Sequence, residues 1–327
     1  MLSKQKLTLK VASTTIMYNL LQDLRHLVIL DFRSPEEFKE ANIRKSINVK
    51  LDDYQMRLTG ALAGPKEVKH PYRSHFEGDD LLRVVCVFPN PGWKELEEQV
   101  NKELHQLNED VLLKGFQIRI TKAYFYKDFS SEFIKKHAYL CINETSSQRH
   151  LVKAEARYPS EIKAGALFMG NMMNVLDKEN EQLRLLGIKT IVYFSPDKFE
   201  HLETNETFKC HHFQVKEHEK PDIDIDMVAE LIVTEIKNKE NAPVFVFDVS
   251  GILSAAICCK VMIETNRAWS KEIATLFIIN KRYEAKDMPS WLYQQINLYG
   301  QKKKRTAPIV RTEEDEEDLD EEEALLN

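Results

Sequence analysis

Short apolar runs alternate with longer amphipathic stretches along the first half of the chain. The run 26–31 (HLVILD) predicts a strand, and Ser34 follows it with Pro35 and Glu37 in the positions of a capping box. That arrangement marks the start of a helix. Further elements are predicted as strands at 46–49, 82–88 and 111–113, and as a helix over 94–107. Strands that alternate with helices favour a parallel sheet covered on both faces.

The second half shows the same alternation. The run 188–194 predicts a strand, and the stretch 177–186, which ends before Gly187, predicts a helix. Residues 244–247 predict a buried strand, and the chain then turns polar before a buried helix begins near Ala255. A strand, a tight loop and a helix N-terminus together can cradle a phosphate group, because free backbone N–H groups converge there.

Composition bounds the class of protein. A length of 327 residues suggests two domains, and 43% hydrophobic residues suffice for ordinary cores. No segment approaches the roughly 18 apolar residues of a membrane span, and no apolar block follows the first lysines as in a secretory signal. The five cysteines, of which Cys258 and Cys259 are adjacent, include no C-x-x-C pair. A reduced cytosolic or ciliary compartment is therefore predicted.

The net charge of −6 is unevenly distributed. Residues 313–323 hold ten acids in eleven positions, and the rest of the chain has 42 acids against 46 lysines and arginines. A weakly basic body thus carries a strongly acidic tail. Such a tail has nothing to bury, and we expect it to be solvated and disordered in isolation.

The first half contains four notable segments: 30–38 (LDFRSPEEF), 43–49 (IRKSINV), 113–116 (LKGF) and 128–133 (DFSSEF). Together they resemble a rhodanese-like domain. Sulfur transfer in that family requires a low-pKa cysteine in the loop that here reads Pro89-Asn90-Pro91-Gly92. Cys86 lies within the preceding strand and is expected to be a small buried hydrophobe. The resemblance therefore implies an inactive rhodanese-like α/β domain.

The second half is similar to the dual-specificity phosphatases, through segments at 158–162 (YPSEI), 170–171 (GN) and 186–189 (LGIK). A rhodanese-like module before such a domain resembles the MAP kinase phosphatases. The basic cluster that docks kinases in that family is replaced at 50–57 by two acids and scattered bases, so docking of that kind is not expected. The predicted α/β organisation is a rhodanese-like domain at 1–142, a linker at 143–156, a dual-specificity phosphatase-like pseudophosphatase domain at 157–302 and a basic-then-acidic tail at 303–327.

The resemblance also indicates which residues stand in place of the family's catalytic groups. Phosphatases of this family need a thiolate nucleophile, an arginine that binds phosphate oxygens and an aspartic acid that protonates the leaving group. With Gly251-Ile252 aligned, these positions are Asp248, Ser254 and Glu217, so no catalytic residue is assigned. The degenerate phosphate loop is Asp248, Val249, Ser250, Gly251, Ile252, Leu253 and Ser254.

Asp248 is expected to oppose phosphate binding as well as catalysis. Two unit charges about 4 Å apart interact by roughly 4 kcal/mol at a near-surface dielectric, and no arginine offsets this repulsion. The carboxylate is expected to accept backbone N–H bonds inside the loop, where a phosphate would have bound.

Asp248 also allows an alternative interpretation, as the nucleophile of a different class of enzyme. Val246 to Leu253 also resembles the first motif of the haloacid dehalogenase phosphatases, in which an aspartate is the nucleophile. Those enzymes usually carry a second aspartate two residues on, where this chain has Ser250. Only 79 residues follow Asp248, which leaves no room for the later motifs.

No metal or cofactor is predicted. Cys210, His211, His212 and His218 lack ligand spacing, because a strand at 209–215 alternates their faces. The basic run 302–305 is interpreted as a solvated helix end rather than a nucleic-acid site. The expected function is a non-catalytic scaffold, either a regulator in a MAP kinase pathway or a structural component of a cytoskeletal or ciliary assembly. We expect protein partners in the cytoplasm, no nucleic acid and no membrane.

Overall fold

The computed structural model describes residues 7–22, 27–43, 46–49, 81–89, 93–113, 119–142, 158–216 and 223–296. Within them lie two five-stranded sheets, one in each half of the chain. The predicted α/β class, with two separate sheets and flanking helices, is confirmed.

The first sheet is parallel throughout, in the order β1-β6-β5-β2-β4. Its strands are β1 (Thr8–Val11), β2 (Leu27–Asp31), β4 (Ile47–Asn48), β5 (Leu81–Val87) and β6 (Arg119–Tyr126). A separate antiparallel pair joins β3 (Asn42–Ile43) to β7 (Cys141–Ile142). The helices of this half are α1 (Thr14–Leu21), α2 (Pro35–Glu40), α3 (Trp93–Leu113) and α4 (Ile134–His137).

The second sheet has the order β11-β10-β12-β9-β8, with only β8 antiparallel to its neighbour. Its strands are β8 (Ser160–Lys163), β9 (Leu167–Asn171), β10 (Thr190–Ser195), β11 (Lys209–Gln214) and β12 (Val244–Asp248). The helices of this half are α5 (Glu181–Leu185), α6 (Glu200–Glu203), α7 (Ile225–Lys237), α8 (Ile252–Thr265) and α9 (Lys271–Lys281).

Each sheet is covered on both faces, as the near-continuous apolar runs predict. In β5, Val84 and Cys86 face one core, whereas Val85 and Val87 face the other. Successive side chains of a strand point to opposite faces, so a strand buried on both sides needs apolar residues at every position. Cys86 is fully buried, and burial raises the pKa of its thiol.

The capping box that predicts the start of α2 is confirmed. The Ser34 hydroxyl accepts a bond from the Glu37 N–H at 3.2 Å, and the Glu37 carboxylate accepts one from the Ser34 N–H at 3.1 Å. Two backbone donors at the helix start are thereby satisfied. At the other end of a helix, Gly187 follows α5 with a φ of +67°, a left-handed conformation that glycine adopts at little cost.

Two predicted boundaries are wrong. Residues 111–113 are the last turn of α3 rather than a strand. A run of three apolar residues fits the end of a helix as well as a short strand, and Leu96, Val100 and Leu104 already place one helix face against the sheet. The helix predicted from residue 177 begins only at Glu181, because the Asp177 carboxylate accepts backbone bonds in a preceding turn.

Helix α1 of the first half packs against the second half. Tyr18 is fully buried within the cluster that contains Phe168 and Phe247 of the second sheet. Its ring stacks on His137, with centroids 4.7 Å apart. This contact places one histidine at the junction of the two halves.

We expect this junction to weaken in acid. Burial, together with the nearby charge of Lys136, lowers the pKa of His137 to about 4, from 6.5 in an exposed histidine. The unfolded chain therefore binds the proton more readily, so stability is fully present above about pH 6.5 and is lost as the pH falls towards 4. Solvent screening of this partly exposed ring limits the loss to about 1–2 kcal/mol at pH 5.

The measurement is urea unfolding between pH 7 and pH 5 for the wild type and for His137→Phe. The variant retains an aromatic ring against Tyr18 and lacks the titrating group, so its stability should fall less over this range. Equal pH dependence in the two proteins would contradict the prediction.

Candidate functional site

The degenerate loop lies at the end of the central strand of the second sheet. Strand β12 is buried along its whole length between β9 and β10, and its last residue, Asp248, is in register with Asn171 and Phe194. The chain then turns into α8 through Gly251, whose φ is +88°. Glycine adopts this left-handed conformation at little cost, so Gly251 allows the chain to pass from β12 to α8 through a short loop.

The Asp248 carboxylate lies inside the loop and accepts three hydrogen bonds. One oxygen accepts the Ser254 N–H at 2.9 Å, and the other accepts the Ser250 N–H at 3.1 Å and the Ser250 hydroxyl at 2.8 Å. The residue is only 7% exposed. Backbone N–H groups that could have faced a bound anion are thus already paired with a carboxylate of the same chain.

Ser254 occupies the position assigned to the phosphate-binding arginine. Its side chain is fully buried, and its hydroxyl donates to the Gly170 carbonyl at 3.1 Å. The hydroxyl therefore ties α8 to β9 and supplies no positive charge. Gly170 has a steric reason to lack a side chain, because a Cβ there would lie 2.2 Å from the Asn174 carboxamide oxygen and 2.8 Å from the Phe245 ring.

The other loop positions differ in exposure. Val249 is 38% exposed, whereas Leu253 is buried. The Ser250 hydroxyl also accepts the Ile252 N–H at 3.1 Å, which closes the turn into the helix. Glu217, the position assigned to the general acid, lies outside the described residues.

An aromatic stack lies directly behind the loop. Phe247 precedes Asp248 and is fully buried, stacked on Tyr193 with centroids 5.3 Å apart and planes nearly parallel. The other face of Tyr193 carries His212, at 4.7 Å. Phe247 is therefore part of an apolar floor behind the loop.

Sequence reasoning missed one charged residue beside the loop. Arg282, at the end of α9, is only 2% exposed, and its Nε lies 3.8 Å from where a Cβ on Gly251 would be. No spacing rule singles it out, because it reaches the loop from a helix about thirty residues further along the chain.

The remaining candidate groups are structural. Cys258 is buried in α8, and burial raises the pKa of its thiol well above the ordinary value. His211 contacts the Glu235 carboxylate at 3.0 Å, while His212 bonds the Ser195 carbonyl at 3.1 Å on the opposite face. His218 lies outside the described residues, and among those described no three His, Cys, Asp or Glu side chains converge as metal ligands would.

Glu235 is the acceptor at the centre of its own small network. Burial alone would raise the pKa of Glu235, but hydrogen bonds from Lys209 at 2.7 Å and Asn241 at 2.6 Å bring that pKa below the ordinary value. The network joins β11 to α7 and accounts for His211 without a metal.

No protein-family model matches the chain, and no curated protein matches it. Among solved structures, the human tyrosine phosphatase-like serine/threonine/tyrosine-interacting protein is 19% identical, over 44% of this chain and 96% of its own, with a TM-score of 0.37. A leucine rich repeat and phosphatase domain containing protein from Entamoeba histolytica is 17% identical, over 46% and 96%, at 0.37. The PTP-2 phosphatase of Cydia pomonella is 17% identical, over 42% and 87%, at 0.36. Because these identities and TM-scores are low, the description of the architecture rests on the strand order and strand registers of this chain.

We expect Asp248→Ala to destabilise the protein. Removal of the carboxylate leaves the buried Ser254 N–H and its neighbour at Ser250 without their acceptor, at a cost of about 1–3 kcal/mol. Asp197→Ala is the matched control, because it removes an exposed carboxylate from the same domain. Urea unfolding of the three proteins tests this, and a stability of Asp248→Ala equal to that of the control would contradict it.

Proposed function

We propose that the chain is a catalytically inactive relative of the dual-specificity phosphatases, fused to an inactive rhodanese-like module, and that it acts as a non-catalytic protein-binding scaffold. The observation that carries this proposal is the Asp248 carboxylate inside the loop, hydrogen bonded to the loop's own donors. A site whose anion position holds a fixed anion of the protein has no place for a phosphate.

Both chemical requirements of phosphoryl transfer fail at this site. The transferred group carries negative charge that must be neutralised, and Ser254 supplies a buried hydroxyl bound to a carbonyl oxygen instead of a guanidinium. The nucleophile must be free to approach phosphorus, yet both Asp248 oxygens accept hydrogen bonds from the loop. Loss of catalysis and loss of phosphate affinity therefore have a common cause.

The first half gives parallel support for the absence of sulfur transfer. Persulfide chemistry needs an accessible thiolate, and Cys86 is fully buried within a central strand, where burial raises the pKa of its thiol. Cys141 is half-buried, and burial raises its pKa to about 12. Neither thiol ionises near neutral pH.

The alternative, a haloacid dehalogenase-like use of Asp248 as nucleophile, is less well supported. Enzymes of that kind bring further motifs to the ends of strands that follow the nucleophile. In this chain, β12 is the last strand of its sheet among the described residues, and the described stretch that follows it, up to residue 296, is helical apart from turns. Asp248 would be left without the partners that such a mechanism requires.

The proposed partners are proteins of the cytoplasm. A MAP kinase pathway component would make the chain a regulator of signalling, and a cytoskeletal or ciliary protein would make it structural. None of the described helices combines the length and apolar character of a membrane span. We propose no nucleic-acid or membrane ligand.

The catalytic part of the proposal predicts no vanadate-sensitive hydrolysis of aryl phosphates by the wild-type protein, from acid to neutral pH. Asp248→Cys alone should recover little, because the position assigned to the phosphate-binding arginine still holds Ser254. Asp248→Cys combined with Ser254→Arg restores a thiolate and a phosphate-binding cation, and we expect vanadate to raise the thermal unfolding temperature of this double variant only.

The single variants and wild type are the controls for that shift. Activity of the double variant should remain weak, since Phe247 cannot tune the cysteine as a histidine does. Robust hydrolysis by the wild type would overturn the assignment as a pseudophosphatase, and magnesium-dependent hydrolysis would favour the alternative.

The acidic tail predicts a salt-sensitive contribution to partner binding. Truncation after Arg311 removes the acidic residues 313–323, so it should weaken capture of a basic partner from native extract. Added salt should weaken the capture by the intact chain in the same way.

The identity of the captured proteins separates the two proposed roles. Enrichment of kinases or phosphatases would favour the regulatory role, and enrichment of tubulin or axonemal proteins would favour the structural one. Equal capture by both chains at low and high salt would mean that the tail contributes nothing to binding.

A further inference from the structure

Strand β8 is the edge strand of the second sheet. It pairs with β9 on one side, and the backbone N–H and C=O groups on its other side need partners from elsewhere. An exposed edge of this kind is a template for pairing with another chain. The groups that cover this edge therefore decide whether the second half can pair with another chain through it.

Three side chains of the first half bond the backbone of β8 and of the two residues that precede it. The Tyr18 hydroxyl donates to the Pro159 carbonyl at 2.7 Å, and the Gln22 carbonyl oxygen accepts the Tyr158 N–H at 2.9 Å. The Asn19 carboxamide bonds Glu161 twice, accepting its N–H and donating to its C=O, both at 2.8 Å.

The Asn19 contact imitates a strand. Its carboxamide presents one donor and one acceptor to the N–H and C=O of a single residue, which is the pairing that a neighbouring strand would make. Asn19 is only 7% exposed and Gln22 only 5%. These hydrogen bonds are therefore shielded from competing water.

Tyr18 adds apolar burial to the same contact. Its ring is fully buried between His137 of the first half and the cluster around Phe168 and Val175 of the second. The residue thus belongs to the core of a sheet more than 140 positions away in the chain. Buried aromatic anchors surrounded by satisfied polar groups are the residues on which interfaces depend most.

We infer that α1 and its C-cap residue Gln22 are an internal docking element for the backbone of residues 158–161, and that this contact holds the two halves together without the linker. The groups involved are neutral, so the association should persist in salt. The second half then presents its surfaces to a partner only as a composite with the first, and its β8 edge is closed to strand pairing.

The contact is formed within one chain rather than between two copies. The rings of Tyr139 and Tyr158, which flank the linker, lie with centroids 5.0 Å apart. Described residues on the two sides of the linker are thus close together, so closure within the chain requires no long span. Exchange of the whole first half between copies would separate these two tyrosines.

The test uses the full chain with a protease recognition sequence inserted after residue 149. The folded protein is cleaved and analysed by size-exclusion chromatography with light scattering. We expect the two fragments to co-elute with the mass of one intact chain, in low salt and in about 0.5 M salt. Separation of the wild-type fragments would overturn the inference, and a dimeric mass before cleavage would overturn the assignment to one chain.

Asn19→Asp tests the recognition itself. It removes the donor to the Glu161 carbonyl and places a carboxylate beside that oxygen, so we expect at least a tenfold rise in the dissociation constant of the cleaved fragments. Asn205→Asp is the matched control: it adds the same charge but keeps the acceptor for the Thr207 N–H, and the fragments should stay together.

Gln22→Met is a second variant, of similar length and without the bond to the Tyr158 N–H, in case Asn19→Asp fails to fold. Circular dichroism before cleavage verifies folding of each variant. Affinity unchanged by both substitutions in folded proteins would overturn the inference that these side chains hold the halves together.

Discussion

The loop at the end of β12 depends on one carboxylate bound to its own backbone. The Asp248 carboxylate accepts hydrogen bonds from the N–H groups of Ser250 and Ser254. Ser254 lies in the first turn of α8. Strand, loop and helix are thereby joined by bonds that a phosphate ion would make in an active cradle. The same interaction stabilises the loop and carries the proposed loss of function, so both would have one cause.

The structure also depends on a contact between its two halves. An edge strand needs a partner, and α1 supplies side chains in place of another strand. Tyr18 at the same time completes the core that contains Phe247, the residue before Asp248. The first half therefore contributes directly to the packing behind the degenerate loop. The first half thus has a structural role in its neighbour.

The clearest local predictions concern features that a few adjacent residues decide. The capping box at Ser34, the glycine that follows α5 and the strand-loop-helix at 244–256 depend on backbone conformation within one turn, and all three are observed. The prediction at 111–113 is wrong because three apolar residues suit a strand or a helix end equally, and packing of the preceding turns decides between them.

The sequence by itself determined the residue types at the loop: an aspartate, a serine and no arginine, in a turn that requires Gly251. It also determined that each sheet must be buried on two faces, because the central strands β5 and β12 are largely apolar at successive positions. Only the tertiary structure decided what those groups contact. The pairing of Asn19 with Glu161, the burial of Arg282 beside the loop and the bond from Ser254 to Gly170 join residues far apart in the chain. No local pattern encodes such contacts, since they arise from how whole elements pack.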